Sequence, residues 1–416
     1  MIMSGIGEAL RGGTVPMGAS GALRLRVPRS RAVFALLCGA GLIGAGCSTS
    51  APSPGAQTPA IGSPSAAPTS IPTVSPAAQG AAGCKVGFAL DNYGPERYPQ
   101  LDGPALEQVL DRAGAIYTLS DAKGDVAQQA SDIDAFVAAG MDVIIVQPFA
   151  SGSSEVNGDV PAAVKRATGA GIPVISYDNF LESPDVLYVA FDWVEAGRME
   201  ARTILAARPT GKYVVIKGDP ASAYANMMRR GIQEVLQPAL DSGATKIVGE
   251  SSTVNWDPFQ AEGEMDAILQ KNGNRIDAVI VEDDGMASGV IKSLTAAGLA
   301  GKVTVASAGG TSGFPSIVTF NAVARGVQTV DVWQDYRQLG KAAAEAAVAL
   351  CEDRDIANLP GTTRVTSPGG NQLTSILLAS QPIMTANLDV VLATGWIKKA
   401  ELCKDVNPAS APPACR

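Results

Sequence analysis

Histidine is absent from all 416 residues. Imidazole acid–base catalysis and histidine-ligated metal sites are therefore excluded. Basic residues are also in deficit: 32 lysines and arginines stand against 40 aspartates and glutamates, a formal charge of −8. Nucleic-acid binders need a basic footprint, so that class is set aside. Aromatics make up only 5% of the chain, yet 46% of residues are hydrophobic, enough to build a core. The apolar run AVFALLCGAGLIGAG, residues 32–46, falls short of the roughly 20 residues that a membrane-spanning helix needs.

That run follows Arg11, Arg24, Arg26, Arg29 and Arg31, with Glu8 the lone acid before it. A basic head, a short apolar stretch and small residues read as an export signal over residues 1–46, with Met17 as the expected start. Ser30 separates Arg29 from Arg31, which argues against the twin-arginine route. Ile43-Gly44-Ala45-Gly46-Cys47 resembles a bacterial lipobox, with Gly44 where that pattern usually has leucine. The resemblance implies cleavage before Cys47 and its lipidation; the alternative is a plain signal peptide. Residues 48–83 carry no charge and are rich in Ser, Thr, Ala and Pro. Such a segment buries too little apolar area to offset its ordering entropy, so residues 47–83 are expected to form a disordered tether. Cys84, Cys351, Cys403 and Cys415 allow three pairings, of which Cys403–Cys415 with Cys84–Cys351 is the expected one. No CxxC spacing points to zinc or redox work.

From residue 84 onward, short β-rich runs alternate with helical patterns. Strands are expected at 86–90, 116–119, 142–146, 174–177, 213–216, 246–249, 278–281, 303–307 and 327–332. Helices are expected at 160–170, 196–207, 223–240, 259–270, 286–297 and 335–351, with others near Leu106–Ala113 and Ile133–Val137. This alternation predicts an α/β fold with doubly wound parallel sheets and right-handed crossovers. The length from 84 to 416 suits two lobes. Ligands of such sheets bind beyond the carboxyl ends of the strands, so two facing lobes would share one cleft.

Particular segments carry a resemblance: KVGFALDNYGPERY (85–98), AAGMDVIIVQPF (138–149), GIPVISYDN (171–179), VNWDPFQA (254–261), RIDAVIVEDDGMASGVIKSLTAAGLAGKV (275–303) and RGVQTVDVWQDY (325–336). Together they resemble the type 1 periplasmic-binding-protein family, the sugar receptors of ABC transporters, and within it the xylose receptors most. The resemblance implies a monomeric extracytoplasmic receptor with two lobes on a three-strand hinge. One lobe would comprise 84–188 and 334–372, the other 189–333 and 373–405, with 406–416 as a tail. Crossings are expected near residues 184–192, Gln334 and Gln372. The implied partners are a monosaccharide, permease subunits and, through the lipid, the membrane; no cofactor or metal is implied.

A pyranose needs planar polar groups for its hydroxyls and a flat apolar surface for its C–H faces. After the first strand come Asp91, Arg97 and Tyr98; the Arg-aromatic pair matches sugar-contacting residues of the family. An internal ion pair from Arg97 to Glu96 or Asp91 is the bland alternative. Asp178 matches an aspartate that accepts sugar hydroxyls, with a turn or helix cap as its alternative, and Asn179 stands where the family usually has arginine. Trp256 matches a stacking tryptophan, although core packing would also suit it. Asp283 matches a sugar-binding asparagine, with Asp284 bracing the loop. Tyr224, Asn226 and Gln334 match polar contacts. After residues 303–307 the family has an aspartate, whereas this chain continues Ala308-Gly309-Gly310-Thr311-Ser312-Gly313. These departures leave a different pentose, a hexose or a substituted sugar open. A glycosidase pairing Asp178 with Asp283 is a rival, but no catalytic motif accompanies it. A repressor would need a basic helix-turn-helix before the first lobe, where the tether lies. A receptor reporting to a sensor partner stays open.

Overall fold

The computed structural model describes residues 81–93, 97–149, 158–309, 317–352, 355–395 and 397–416. The leader, Cys47, most of the tether, Glu96 and residues 310–316 lie outside them. Thirteen strands are described: β1 (Lys85–Leu90), β2 (Ile116–Asp121), β3 (Val143–Gln147), β4 (Val174–Tyr177), β5 (Val186–Phe191), β6 (Gly211–Lys217), β7 (Thr245–Ser252), β8 (Ala278–Val281), β9 (Thr304–Gly309), β10 (Val330–Trp333), β11 (Thr362–Thr366), β12 (Gln372–Leu378) and β13 (Gln381–Ile383). They form two sheets, in the orders β11-β12-β5-β4-β3-β1-β2 and β13-β10-β9-β8-β6-β7. Pairing is parallel except at the edges, where β11 meets β12 and β13 meets β10 antiparallel. Central strands such as β3 and β8 are buried along their whole length. Such strands, covered on both faces, explain the continuous apolar runs in the sequence.

The main helices are α1 (Gly103–Ala113), α2 (Val126–Ala138), α3 (Val160–Gly169), α4 (Trp193–Ala207), α5 (Ala223–Asp241), α6 (Pro258–Asn272), α7 (Asp284–Ala296), α8 (Ile317–Ala324) and α9 (Tyr336–Cys351). Most begin on a side-chain cap. The carboxylates of Asp125, Asp192, Asp257, Asp283 and Asp335, and the hydroxyl of Ser222, accept first-turn backbone N–H groups. These caps follow strand ends, so the same short loops that start the helices also carry the candidate site residues.

The lobe boundaries differ from those read in the sequence. β5 belongs wholly to the first sheet, so the first crossing is at Asp192 rather than after residue 188. β12 is hydrogen-bonded to β5 in parallel, so the third crossing lies at 379–380, not near Gln372. The second crossing follows β10, at Gln334 and Asp335. The three crossings are tied together: Asp192 N donates to Leu378 O at 3.0 Å, and Gln334 Nε2 donates to Ser380 Oγ at 3.0 Å. Residues 406–416 are not a free tail. A Cys403–Cys415 disulfide and apolar contacts of Val406 and Ala414 pack them on the second lobe. The other bond joins Cys84 to Cys351, as expected.

Close helix approach in the second lobe depends on two glycines. A Cβ on Gly197 of α4 would lie 2.1 Å from Met228 O, and one on Gly231 of α5 would lie 2.0 Å from Val194 O. Because both obstacles are backbone, the helices themselves must separate. Gly231→Ala is therefore expected to destabilise the fold by about 1–3 kcal/mol, the usual cost of overpacking. Urea denaturation would check it; an unchanged midpoint would show that the α4–α5 pair tolerates wider spacing.

Candidate functional site

Parallel strands bring β1, β4 and β5 of one sheet, and β6, β8 and β10 of the other, to edges from which the candidate residues project. In the first lobe the organising group is Arg97. It precedes a π-helical turn, Tyr98–Asp102, whose wide winding sets Asp102 back against the guanidinium. The next residue must approach closely, since a Cβ on Gly103 would lie 2.8 Å from Tyr98 O.

Arg97 Nη2 lies 3.0 Å from Asp102 Oδ1, and Nη1 lies 2.7 Å from Asp178 Oδ2. Its Nε also donates to Asp102, at 3.2 and 3.3 Å. Tyr177 donates its hydroxyl to Asp102 as well. The guanidinium lies 3.5 Å from the Tyr336 ring centroid and 4.8 Å from that of Tyr98. Burial pushes the Asp102 carboxyl up to about 6 despite the opposing pull of Arg97. Asp91 is raised to about 7 by burial, partly offset by the N–H of Asn92 and by Arg97.

Asp178 has φ +64°, an uncommon left-handed backbone that its short side chain tolerates. Its N–H donates to Val189 O, and Tyr188 donates its hydroxyl to Asp178 O at 2.9 Å. The backbone thus fixes where the carboxylate points. Among the described residues, Asp178 Oδ1 is buried without a hydrogen-bond partner.

In the second lobe the 3-10 turn Val254–Trp256 follows β7, with both Asn255 and Trp256 at positive φ. A bulky residue in that region is strained, and such strain clusters at functional sites. Asp219 holds the turn by accepting Asn255 N at 2.7 Å. The indole lies against Gly218, where a Cβ would come within 1.9 Å of the ring. Tyr224 stacks on Trp256 at 4.9 Å between centroids and 11° between planes, and Trp193 continues the aromatic row at 5.0 Å. Phe191 joins that row to Tyr336 beside Arg97, so aromatic contact runs from one lobe to the other.

Asp91, Arg97, Tyr98 and Asp178 therefore cluster in the first lobe, and Tyr224 and Trp256 in the second. Tyr224 lies within electrostatic reach of Asp178, Asp283 and Arg97, which places the two groups around one locus. Asp283 Oδ1 caps α7 through Met286 N at 2.9 Å. Other residues are turned elsewhere. Asn179 Nδ2 donates to Pro148 O, and Asn226 Nδ2 donates to Ser222 O and Pro220 O. Gln334 spends its amide N–H on the hinge, leaving Oε1 unpartnered. Asp284 turns inward to accept the Ser307 hydroxyl at 2.6 Å, and burial raises its carboxyl to about 7. Gly309 packs against that carboxylate, 3.1 Å from where a Cβ would sit, so a side chain at 309 would collide with Asp284. Among the described residues, no group of three or more acidic or cysteine side chains could hold a metal ion.

A periplasmic binding protein domain model matches residues 86–355. The chain belongs to that family. It is 31% identical over 321 residues to the D-xylose-binding periplasmic protein of Escherichia coli, spanning 76% of this chain and 92% of that one. It is 32% identical over 185 residues to a xylitol-binding protein of Mycolicibacterium smegmatis, 44% of this chain and 50% of that one. The solved structure of an ABC transporter solute-binding protein from Clostridium phytofermentans, with bound β-D-glucose, shares the fold at TM-score 0.63. Its identity is 24%, covering 76% of this chain and 99% of that one. The family is one of extracytoplasmic binding proteins, and the relatives matched are sugar-binding transport proteins, not enzymes.

Sequence reasoning missed the supports of its site. Asp102, Tyr177, Tyr336 and Gly218 carry no motif of their own; a buried arginine's need for counter-charge within one turn was the available signal for Asp102.

Proposed function

We propose that this family member is a lipid-anchored receptor, tethered through Cys47, that captures a xylose-like pentose or a related monosaccharide. The sugar would bridge the lobes, stabilise the closed state by its differential contacts and be handed to an ABC permease. Asp91, Arg97, Asp178 and Asp283 would serve its hydroxyls, with Trp256 and Tyr224 as the apolar platform. The observation supporting this most is a pair of unlike surfaces within electrostatic reach of each other at Tyr224: a buried arginine–carboxylate cluster from one sheet and a stacked indole and phenol from the other. That pairing is what a sugar's hydroxyl edge and C–H face require.

Calorimetric and fluorescence titration against pentoses and hexoses tests the reading. Trp256→Ala is expected to weaken the preferred sugar at least tenfold, about 1.4 kcal/mol. Gly218→Val, which displaces the same ring, should weaken it comparably. Saturable binding unaffected by either variant would remove the platform from the site, and turnover of nitrophenyl glycosides would favour an enzyme. Loss of membrane association in Cys47→Ala cells is the corresponding test of the anchor.

A further inference from the structure

We infer that Tyr224 sets the size of the sugar: it limits the cleft to a pentose and turns away the hexose that differs only by an added hydroxymethyl group. The inference rests on the reading of the cleft as a sugar site and selects among the sugars which that reading admits. D-Xylose and D-glucose share one pyranose ring and the same ring hydroxyls. They differ at a single carbon, a bare methylene in the pentose and a hydroxymethyl-bearing carbon in the hexose. A pentopyranose therefore has one edge without a hydroxyl. Arg97 and Asp178 take hydroxyls, so that bare edge falls on the aromatic side of the cleft.

Tyr224 stands on that side, and its ring packs against two indoles: Trp256 at 4.9 Å and 11°, and Trp193 at 5.0 Å and 32°. Each indole is itself fixed. Trp193 is 4% exposed and also meets Phe191. Trp256 is wedged at Gly218, on a turn that Asp219 holds through Asn255 N. The helices beneath are fixed as well. Trp193 opens α4, and Tyr224 lies in the first turn of α5, just after the Ser222 cap. The same two helices meet at Gly197 and Gly231, where backbone blocks any Cβ. A wall packed this closely resists even one added carbon.

Tyr224 also lies within electrostatic reach of Asp178 and Arg97 in one lobe and Asp283 in the other. Its ring therefore borders the groups that serve the hydroxyls. Asp178 Oδ1, buried without a partner among the described residues, accepts a ring hydroxyl. Both sugars offer that hydroxyl, so the carboxylate holds the ring without telling the two apart. Discrimination is left to the wall that meets the one carbon at which they differ.

The experiment is calorimetric titration of the intact protein with pentose–hexose pairs that differ only by the hydroxymethyl group: D-xylose with D-glucose, L-arabinose with D-galactose, and D-ribose with D-allose. In the pair that binds best, the pentose is expected to be favoured at least about tenfold. Tyr224→Ala should shift that ratio at least about tenfold towards the hexose, and Tyr224→Leu should shift it less, in proteins whose circular dichroism matches the parent. A purely structural or stacking role would weaken both sugars alike and leave the ratio where it was, which would overturn the inference. A parent protein that binds the hexose as tightly as its pentose overturns it too, whatever the variants do, and leaves the sugar-receptor reading intact. If the parent binds none of the six sugars, both fall.

Discussion

Arg97→Leu should cost about 3–5 kcal/mol of stability at pH 8, the usual effect of stripping one partner from a buried ion pair. Asp102 and Asp178 would both remain buried with no cation, since each is less than a tenth exposed. The cost should be pH-dependent. Asp102 already titrates near 6 because burial disfavours its charge, above the unfolded value near 3.9. A raised carboxyl favours the fold while protonated and loses that favour as pH rises through its folded value. Removing Arg97 raises Asp102 further, so the gap between variant and parent should be widest at pH 8 and should narrow towards pH 5. Urea denaturation of both proteins at the two pH values would read it. A gap that stays constant would mean that Arg97 acts by packing against Tyr336 and not by charge. Sugar binding should be lost at either pH, because Arg97 is itself proposed to serve the sugar's hydroxyls and its contact to Asp178 Oδ2 would be gone.

Removing the Cys84–Cys351 bond should be still more damaging. It spans 267 residues, against 12 for Cys403–Cys415. On a loop-entropy basis the first is worth about 5–6 kcal/mol and the second about 3 kcal/mol. The long bond fastens the start of β1 to the end of the α9 helix, two elements of the first lobe that the second lobe separates in sequence. Paired Cys→Ser variants compared by denaturation should rank in that order. The reverse order would show that native-state contacts, not chain entropy, dominate. The family is extracytoplasmic, a setting where such bonds persist, which agrees with both being formed.

Strand–helix alternation was legible because parallel strands covered on both faces are written as apolar runs, and their helices as apolar residues at helical spacing. The lobe boundaries were not legible. β5 and β12 pair across nearly half of the chain, and nothing local in Val186–Phe191 or Gln372–Leu378 announces a partner so distant. The site divided in the same way. Asp178 and Trp256 stood out because strand-end carboxylates and an indole flanked by polar residues are rare in a core. Asn179, Asn226 and Gln334 were weaker candidates, and their amides donate to nearby backbone and hinge groups. A short polar side chain reads the same in sequence whether it faces a ligand or its own loop.

The sequence by itself determined the two-sheet α/β class, the family and the chemical types gathered at the strand ends, because periodicity and composition are local properties of the chain. Only the tertiary structure decided that Arg97 lies between Asp102 and Asp178, that Tyr224 covers the indole, and that Asp192, Gln334 and Ser380 share one hinge. Those contacts join residues from different strands and different lobes. Their partners are chosen by the packing of whole sheets, which no short stretch of sequence records.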